Sequence, residues 1–267
     1  MSVSIASIKG VRPTNEDNEF VDLNIGKNNN KADINIVGIF DGHGGNQISK
    51  IVSTQLPILF LDKRISYPLD SKFVVKAFDF IQLQLINHHK SLASKMGTTA
   101  LIAIQYMYKG ANYLTVINIG DSRLVLCRNN LGTPITKDHK PYWPEETIRI
   151  KKLKGNIVND NGTIRINNLS VSRAFGDLDA MPHVTHRPDM YKIKLEKTDK
   201  FIVMGCDGLW DVVSNSETVN FVLLNCYEDD LKTRNKNKSK DIANKLAEYA
   251  IKKGTTDNVS VIIMFFD

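Results

Sequence analysis

The sequence predicts an α+β fold in which two antiparallel β-sheets pack face to face, each covered outside by helices: a four-layer α-β-β-α sandwich. Three observations lead there. Strand-like runs rich in β-branched and aromatic residues occur at 34–40 (INIVGIF), 98–108 (TTALIAIQYMY), 112–120 (NYLTVINIG), 123–128 (RLVLCR), 200–206 (KFIVMGC) and 258–266 (NVSVIIMFF). Two other segments repeat apolar residues at helical steps: Val74, Ala77, Phe78, Ile81 and Leu85 in one, and Ile242, Leu246, Tyr249 and Ala250 in the other. Each such helix has one face that needs a sheet to cover. Helices fall in pairs between groups of strands instead of alternating with them, and 98–128 reads as three successive strands joined by short turns, which favours antiparallel pairing.

Taken in order, the opening MSVSIASIKGVRPTNED has no basic segment followed by an apolar stretch, so no secretory leader is expected and the protein is placed inside the cell, in cytoplasm or nucleus. GKNNNKAD (26–33) reads as a surface loop before the strand at 34–40. The runs after DGHGG (46–60) and after CDG (209–224) look helical, making both Asp-Gly pairs corners between a strand and a helix. His88 and His89 fall near the end of the helix through Val74, where imidazoles suit the negative pole. LKTRNKNKSK (231–240) is basic but has acids on both sides, Glu228 to Asp230 and Asp241, and reads as a solvated loop; contact with an anionic phosphoprotein is the alternative.

Composition narrows the classes. At 267 residues, with 42% hydrophobic and 24% charged residues, the chain is expected to be one globular domain, 1–267, and a monomer. No apolar run approaches the roughly 20 residues of a membrane span. The net charge of +6 is spread along the chain, which argues against nucleic acid as partner. Cys127, Cys206 and Cys226 lack CxxC spacing and read as reduced packing residues, not a disulfide framework or a zinc site.

The chemistry gathers at strand ends. Asp41 and Asp207 end apolar strands, and glycine beside each lets a metal, water or phosphate approach the backbone. Asp257 precedes the last strand, Arg12, Glu16 and Asp17 precede the first, and Asp121, Asp138 and Asp177 occupy similar places. Acids gathered this way repel one another and raise their own pKa values unless cations neutralise them. An oxygen-rich set without thiolate spacing suits Mg²⁺ or Mn²⁺ over structural Zn²⁺. Two ions about 3.5–4 Å apart can share a bridging carboxylate and activate a bridging water. Asp41 is the bridging candidate.

The spaced set RPTNED, DGHGG, MGTTA, NIGDSR, DHKP, SRAFGD, CDGLWDV and TTDNVSV resembles the metal-dependent protein Ser/Thr phosphatases of the PP2C (PPM) family, in order and interval, from Arg12 to the final strand. The resemblance implies hydrolysis of phosphoserine and phosphothreonine in phosphoprotein substrates, with no covalent phosphoenzyme, on two Mg²⁺ or Mn²⁺ ions. It implies Asp41 as the acid bridging both metals, Gly42 as a carbonyl ligand, and Asp207 and Asp257 as carboxylate ligands. Glu16 and Asp17 match acids that support the pair through water, and Asp138, with Asp207, matches a third, weaker metal site. Arg12 matches the phosphate-binding arginine and His43 the general acid. The region between SRAFGD and the strand at 200, a flap beside the active site in that family, is short here.

Rivals are weaker. The positions six residues after each cysteine hold Thr133, Lys232 and Val212, so the C-x5-R pattern of a cysteine phosphatase is absent, as is a GxxxxGK[ST] phosphate loop. A pseudophosphatase acting as a binding or regulatory scaffold is the other class, and it would be expected to lack some of Asp41, Asp207 and Asp257, all of which are present.

Overall fold

The structure is a computed structural model that describes residues 1–25, 34–62 and 64–266. The loop expected at 26–33 lies outside the described residues. The chain enters through β1 (Ser2–Ile8), β2 (Asn18–Ile25) and β3 (Ile34–Phe40), then β4 (Gly42–His43), α1 (Gln47–Leu61), α2 (Ser71–His88) and α3 (Lys90–Ala93). The Asp70 side chain caps α2 by accepting from the Lys72 N–H. Strands β5 (Gly97–Thr98), β6 (Ala100–Tyr108), β7 (Ala111–Ile119), β8 (Arg123–Arg128) and β9 (Leu131–Pro134) follow. Then come α4 (Pro144–Lys152), the hairpin β10 (Ile157–Asp160) and β11 (Thr163–Ile166), β12 (Phe175–Gly176), β13 (Asp189–Lys194) and β14 (Asp199–Gly205). Helices α5 (Asp207–Trp210), α6 (Asn215–Cys226) and α7 (Ile242–Lys252) lead to β15 (Val259–Phe265).

The long strands form two antiparallel sheets of five, in the orders β1-β15-β14-β8-β9 and β13-β7-β6-β3-β2. Side chains alternate across a strand, so a run that is apolar at every position needs cover on both faces. Here it has it. In β3, Val37 and Ile39 point between the sheets and pack with Leu101, Leu124, Ile202 and Met264, while Ile36 and Phe40 pack outward with Val52, Phe78 and Ile81 of α1 and α2. In β15, Ile262 and Met264 face the same inter-sheet core, while Val261 and Ile263 meet Val219, Val222, Ile242 and Leu246 of α6 and α7. Each fully buried Val, Leu, Ile or Phe contributes about 1.5–3 kcal/mol. The four expected layers are present, and the three cysteines are buried and free.

Two differences have physical causes. Only β6 and β7 of the expected three-strand run pair with each other; at Gly120 (φ +94°) the chain crosses over, and β8 joins the opposite sheet. The main-sheet strands that the sequence pattern did not predict, β1, β2, β9 and β13, are the sheet edges. An edge strand carries charged and polar residues that break the apolar run, as in NEFVDLNI and DMYKIK. Among the described residues no helix is long and apolar enough to cross a membrane.

Asn258, just before β15, ties the two ends of the chain together. Its side-chain amide donates to the Lys9 and Thr14 carbonyls at 2.8 and 2.9 Å, and its carbonyl accepts from the Glu16 N–H at 2.9 Å. Asn258→Ala leaves these groups unpaired and is expected to lower stability by roughly 1–3 kcal/mol, read as a reduced urea midpoint at unchanged m-value.

Candidate metal centre

Asp41 follows β3 and is clamped through its backbone by the MGTTA segment. Its N–H donates to Thr99 Oγ1 at 3.1 Å, and its carbonyl accepts from the Thr99 N–H at 2.8 Å and Thr98 Oγ1 at 3.0 Å. The Thr99 hydroxyl also bonds Ser122 Oγ at 2.9 Å, which draws in the turn that carries Asp121. Asp207 follows β14 at the first position of α5. Carboxylate oxygens of Asp41, Asp121 and Asp207 lie within 4.8 Å of one another, and so do ligand atoms of Asp17, Asp41 and Cys206. Asp41 is common to both groups. Among the described residues Asp17 Oδ2 is buried with no hydrogen-bond partner, the kind of atom that a cation or its water would satisfy.

A pocket of about 420 Å³ opens onto this cluster, and Arg12, Glu16, Asp41, Gly42, His43, Asp207 and Asp257 all line it. Seven of the residues singled out in the sequence thus share one cavity, and Asp17 is buried behind it, 7% exposed. Asp138 does not line the pocket; its carboxylate is held in a fork by Arg123 Nε and Nη2 at 3.0 and 2.7 Å. Arg12 Nη2 donates to Asp257 Oδ2 at 2.6 Å and its Nε to the Thr256 carbonyl at 3.2 Å, which docks the N-terminal segment against the last strand. The glycines also serve the packing of the chain itself. A Cβ on Gly208 would overlap the Asn258 carbonyl, and one on Gly42 the Glu16 carbonyl, so glycine at each admits the protein's own backbone.

Burial pushes the Asp41 and Asp207 carboxyls well above the usual range, and neighbouring carboxylates push further: Asp17 on Asp41, and Asp121 on both. Burial also raises Asp17, to about 7, against the nearby polar side chains of Ser260 and Cys206, which lower it. Cys206 is raised well above its ordinary value by burial and the adjacent acids, so it stays a thiol. Burial alone would depress His43, but its hydrogen bond to Asp177 and the charges of Asp177, Asp121 and Glu16 outweigh that and raise it. His43 Nε2–H donates to the Asp177 carboxylate at 2.8–2.9 Å, and Asp177 is only 4% exposed. A side chain on Gly97 would collide with this pair.

Sequence reasoning named Asp121 and Asp177 as acids at strand ends without giving them roles. Their signal was the Gly-Asp pair in NIGDSR and SRAFGD, which is as common at ordinary turns. It treated Cys206 as packing alone and passed over Lys140, whose ammonium pairs with Asp121. Arg165, in β11, and residues 168–171 line the pocket, and residues 178–199, where a flap was expected, do not. Local sequence could not order these segments around a cavity.

Acids that could hold a divalent cation thus gather at one end of a two-sheet sandwich, and comparison with known proteins gives the family. Residues 1–259 match the family model Protein phosphatase 2C. The PP2C-like domain-containing protein R307 of Acanthamoeba polyphaga mimivirus is 48% identical over 170 residues, 57% of this chain and 94% of that protein. Probable protein phosphatase 2C 7 of Oryza sativa subsp. japonica is 32% identical over 268 residues, and the chain spans 66% of its length. The crystal structure of serine-threonine phosphatase 2C from Toxoplasma gondii shares the fold at a TM-score of 0.79 and 19% identity, over 99% of this chain and 94% of that one. The chain belongs to the protein phosphatase 2C family.

The raised acids set a pH dependence. A carboxyl raised on folding contributes stability fully present below its unfolded pKa and lost as the pH climbs through the folded value, here from 3.8 to about 7 for Asp17. In EDTA the wild type is expected to lose on the order of a few kcal/mol between pH 4 and 8, and Asp17→Asn to lose less. Thermal melts across that range check this; a wild-type melting temperature flat with pH contradicts it.

Proposed function

We propose that residues 1–267 form one phosphatase unit that hydrolyses phosphoserine and phosphothreonine in protein substrates with Mg²⁺ or Mn²⁺ bound, and without a covalent phosphoenzyme. The observation that carries the reading is the convergence of Asp41, Asp121 and Asp207 within 4.8 Å, in a pocket that Asp257 and Arg12 also line. Hard oxygen donors of this kind favour Mg²⁺ or Mn²⁺. Two ions would be held by Asp41, Asp207, Asp257 and the Gly42 carbonyl, with Glu16 and Asp17 supporting them through water. Bound there, the ions would neutralise phosphate charge and supply an activated water. A third, weaker ion at Asp138 would have to displace the Arg123 fork.

Arg12 is half exposed at the pocket wall and keeps Nη1 uncommitted among the described residues. It is suited to a phosphate oxygen by a charge-assisted bond. His43 commits Nε2 to Asp177, which leaves Nδ1 for substrate; the raised imidazolium is a proton source for the departing seryl or threonyl oxygen. Asp177 orients the ring and stabilises its charge.

Phosphate release from a phosphopeptide is expected with Mn²⁺, to vanish in EDTA, and to fall by about 10²-fold or more in Asp207→Asn. Activity unaffected by chelation rejects the metal reading; a pure, folded, inactive wild type across metals favours a binding scaffold instead. His43→Ala is expected to slow phosphopeptides by about 10²–10⁴-fold and aryl phosphates, whose leaving groups need less protonation, much less. Equal losses on both remove His43 from the acid role.

A further inference from the structure

Val74, Ala77, Phe78, Ile81 and Leu85 make the buried face of α2, and Gln82 is the one polar side chain on it, 2% exposed. An amide placed there is costly unless both its halves are bonded. Both bond a single residue 94 positions away: Nε2–H donates to the Gly176 carbonyl at 3.0 Å, and Oε1 accepts from the Gly176 N–H at 3.0 Å. These are the two bonds that one strand residue exchanges with another in an antiparallel pair. Asp177, next along, turns its N–H the other way, to the Met96 carbonyl at 3.1 Å, so Gln82 closes the open edge of the small sheet β12-β5-β4. That sheet also carries His43, since Gly97 pairs with Gly176 on one side and with His43 on the other. One turn earlier on α2, Phe78 stacks on Phe175 with ring centroids 5.0 Å apart. Gly176 (φ +76°) and Asp177 (φ +48°) are both left-handed, a conformation that a residue with a side chain rarely keeps unless its surroundings hold it. This turn carries the Asp177 carboxylate to His43 Nε2.

We propose that Gln82 is a positioning residue for the phosphatase reaction: by holding both backbone groups of Gly176 it fixes the turn that aims Asp177, and through Asp177 the His43 ring, at the substrate. Without the clasp, the Gly176 N–H and carbonyl lose their partners and the glycine is released to other conformations, which moves the carboxylate off the imidazole. Misplacing a catalytic group by about 1 Å can cost on the order of 10²-fold in rate. The inference rests on the reading of His43 as proton donor given above and adds what holds that donor in place.

The test is kcat and KM of the whole chain with Mn²⁺, on a phosphopeptide and on p-nitrophenyl phosphate, whose departing oxygen needs little protonation. Gln82→Met, which nearly keeps the volume and removes both bonds, is expected to lower kcat on the phosphopeptide by about 10- to 10²-fold with KM little changed, and to slow the aryl phosphate much less. In an Asp177→Asn background the same substitution should add little, because its effect passes through Asp177. Gln105→Leu is the structural control: that amide is also buried, bonded to Asn35 and Asn112 toward the end of β6 far from the site, and its loss should lower the melting temperature without moving the ratio of the two activities. Where Gln82→Met does not fold, Gln82→Asn, which keeps the amide but shortens its reach, is expected to show the same selective loss. Equal losses on both substrates, or an undiminished effect in the Asp177→Asn background, overturn the role of Gln82 and leave the metal reading intact. If His43→Ala itself slows both substrates equally, the reading of His43 fails instead.

Discussion

The molecule depends on holding several carboxylates together where water is scarce. Asp17, Asp41 and Asp207 are each raised by their own burial and by neighbouring acids, an arrangement that is unfavourable without cations. The fold opposes it with rigidity. Asp41 is bonded at both its N–H and its carbonyl by Thr98 and Thr99, so its side chain cannot retreat by moving the backbone. The burial of β3 on both faces extends that constraint into the core.

Two face-to-face antiparallel sheets are a direct way to assemble such a site. Asp41, Asp121 and Asp207 follow β3, β7 and β14, and Asp257 precedes β15, so strand ends from both sheets meet at one edge of the sandwich. The crossing at Gly120 carries the chain from one sheet to the other and puts Asp121 between them. Close approach is then needed where segments converge, and Gly42 and Gly208 provide it for the Glu16 and Asn258 carbonyls.

A second polar layer joins the site to the hairpin side. Asp189 bonds both His139 and Arg173 Nη1, and Arg173 also pairs with Glu146, which Arg149 shares. Burial alone would raise Glu146, but these arginines hold it down, at about 2. The loop bearing Lys140 and the segment that leads from the hairpin to SRAFGD are thus anchored to one network. By contrast the basic run at 231–240 stays peripheral: Lys232, Lys236, Lys238 and Lys240 are exposed, and Arg234 packs against Phe265.

By itself the sequence determined the layers and most of the acids. Apolar runs such as INIVGIF can only be buried on both faces, the steps through Val74 and Leu85 demand a covered helix face, and an oxygen-rich acid set has few uses other than binding cations. Only the tertiary structure decided which acids meet. Asp138 and Asp121 look alike in the chain, each a turn acid between apolar segments, yet Arg123 captures the first and the cluster takes the second. The partnerships of Lys140 with Asp121 and of His43 with Asp177 span 19 and 134 positions, and the edge strands show their place through pairing rather than pattern. Proximity across such separations is set by how the sheets cross and pack, and no local run of residues encodes it.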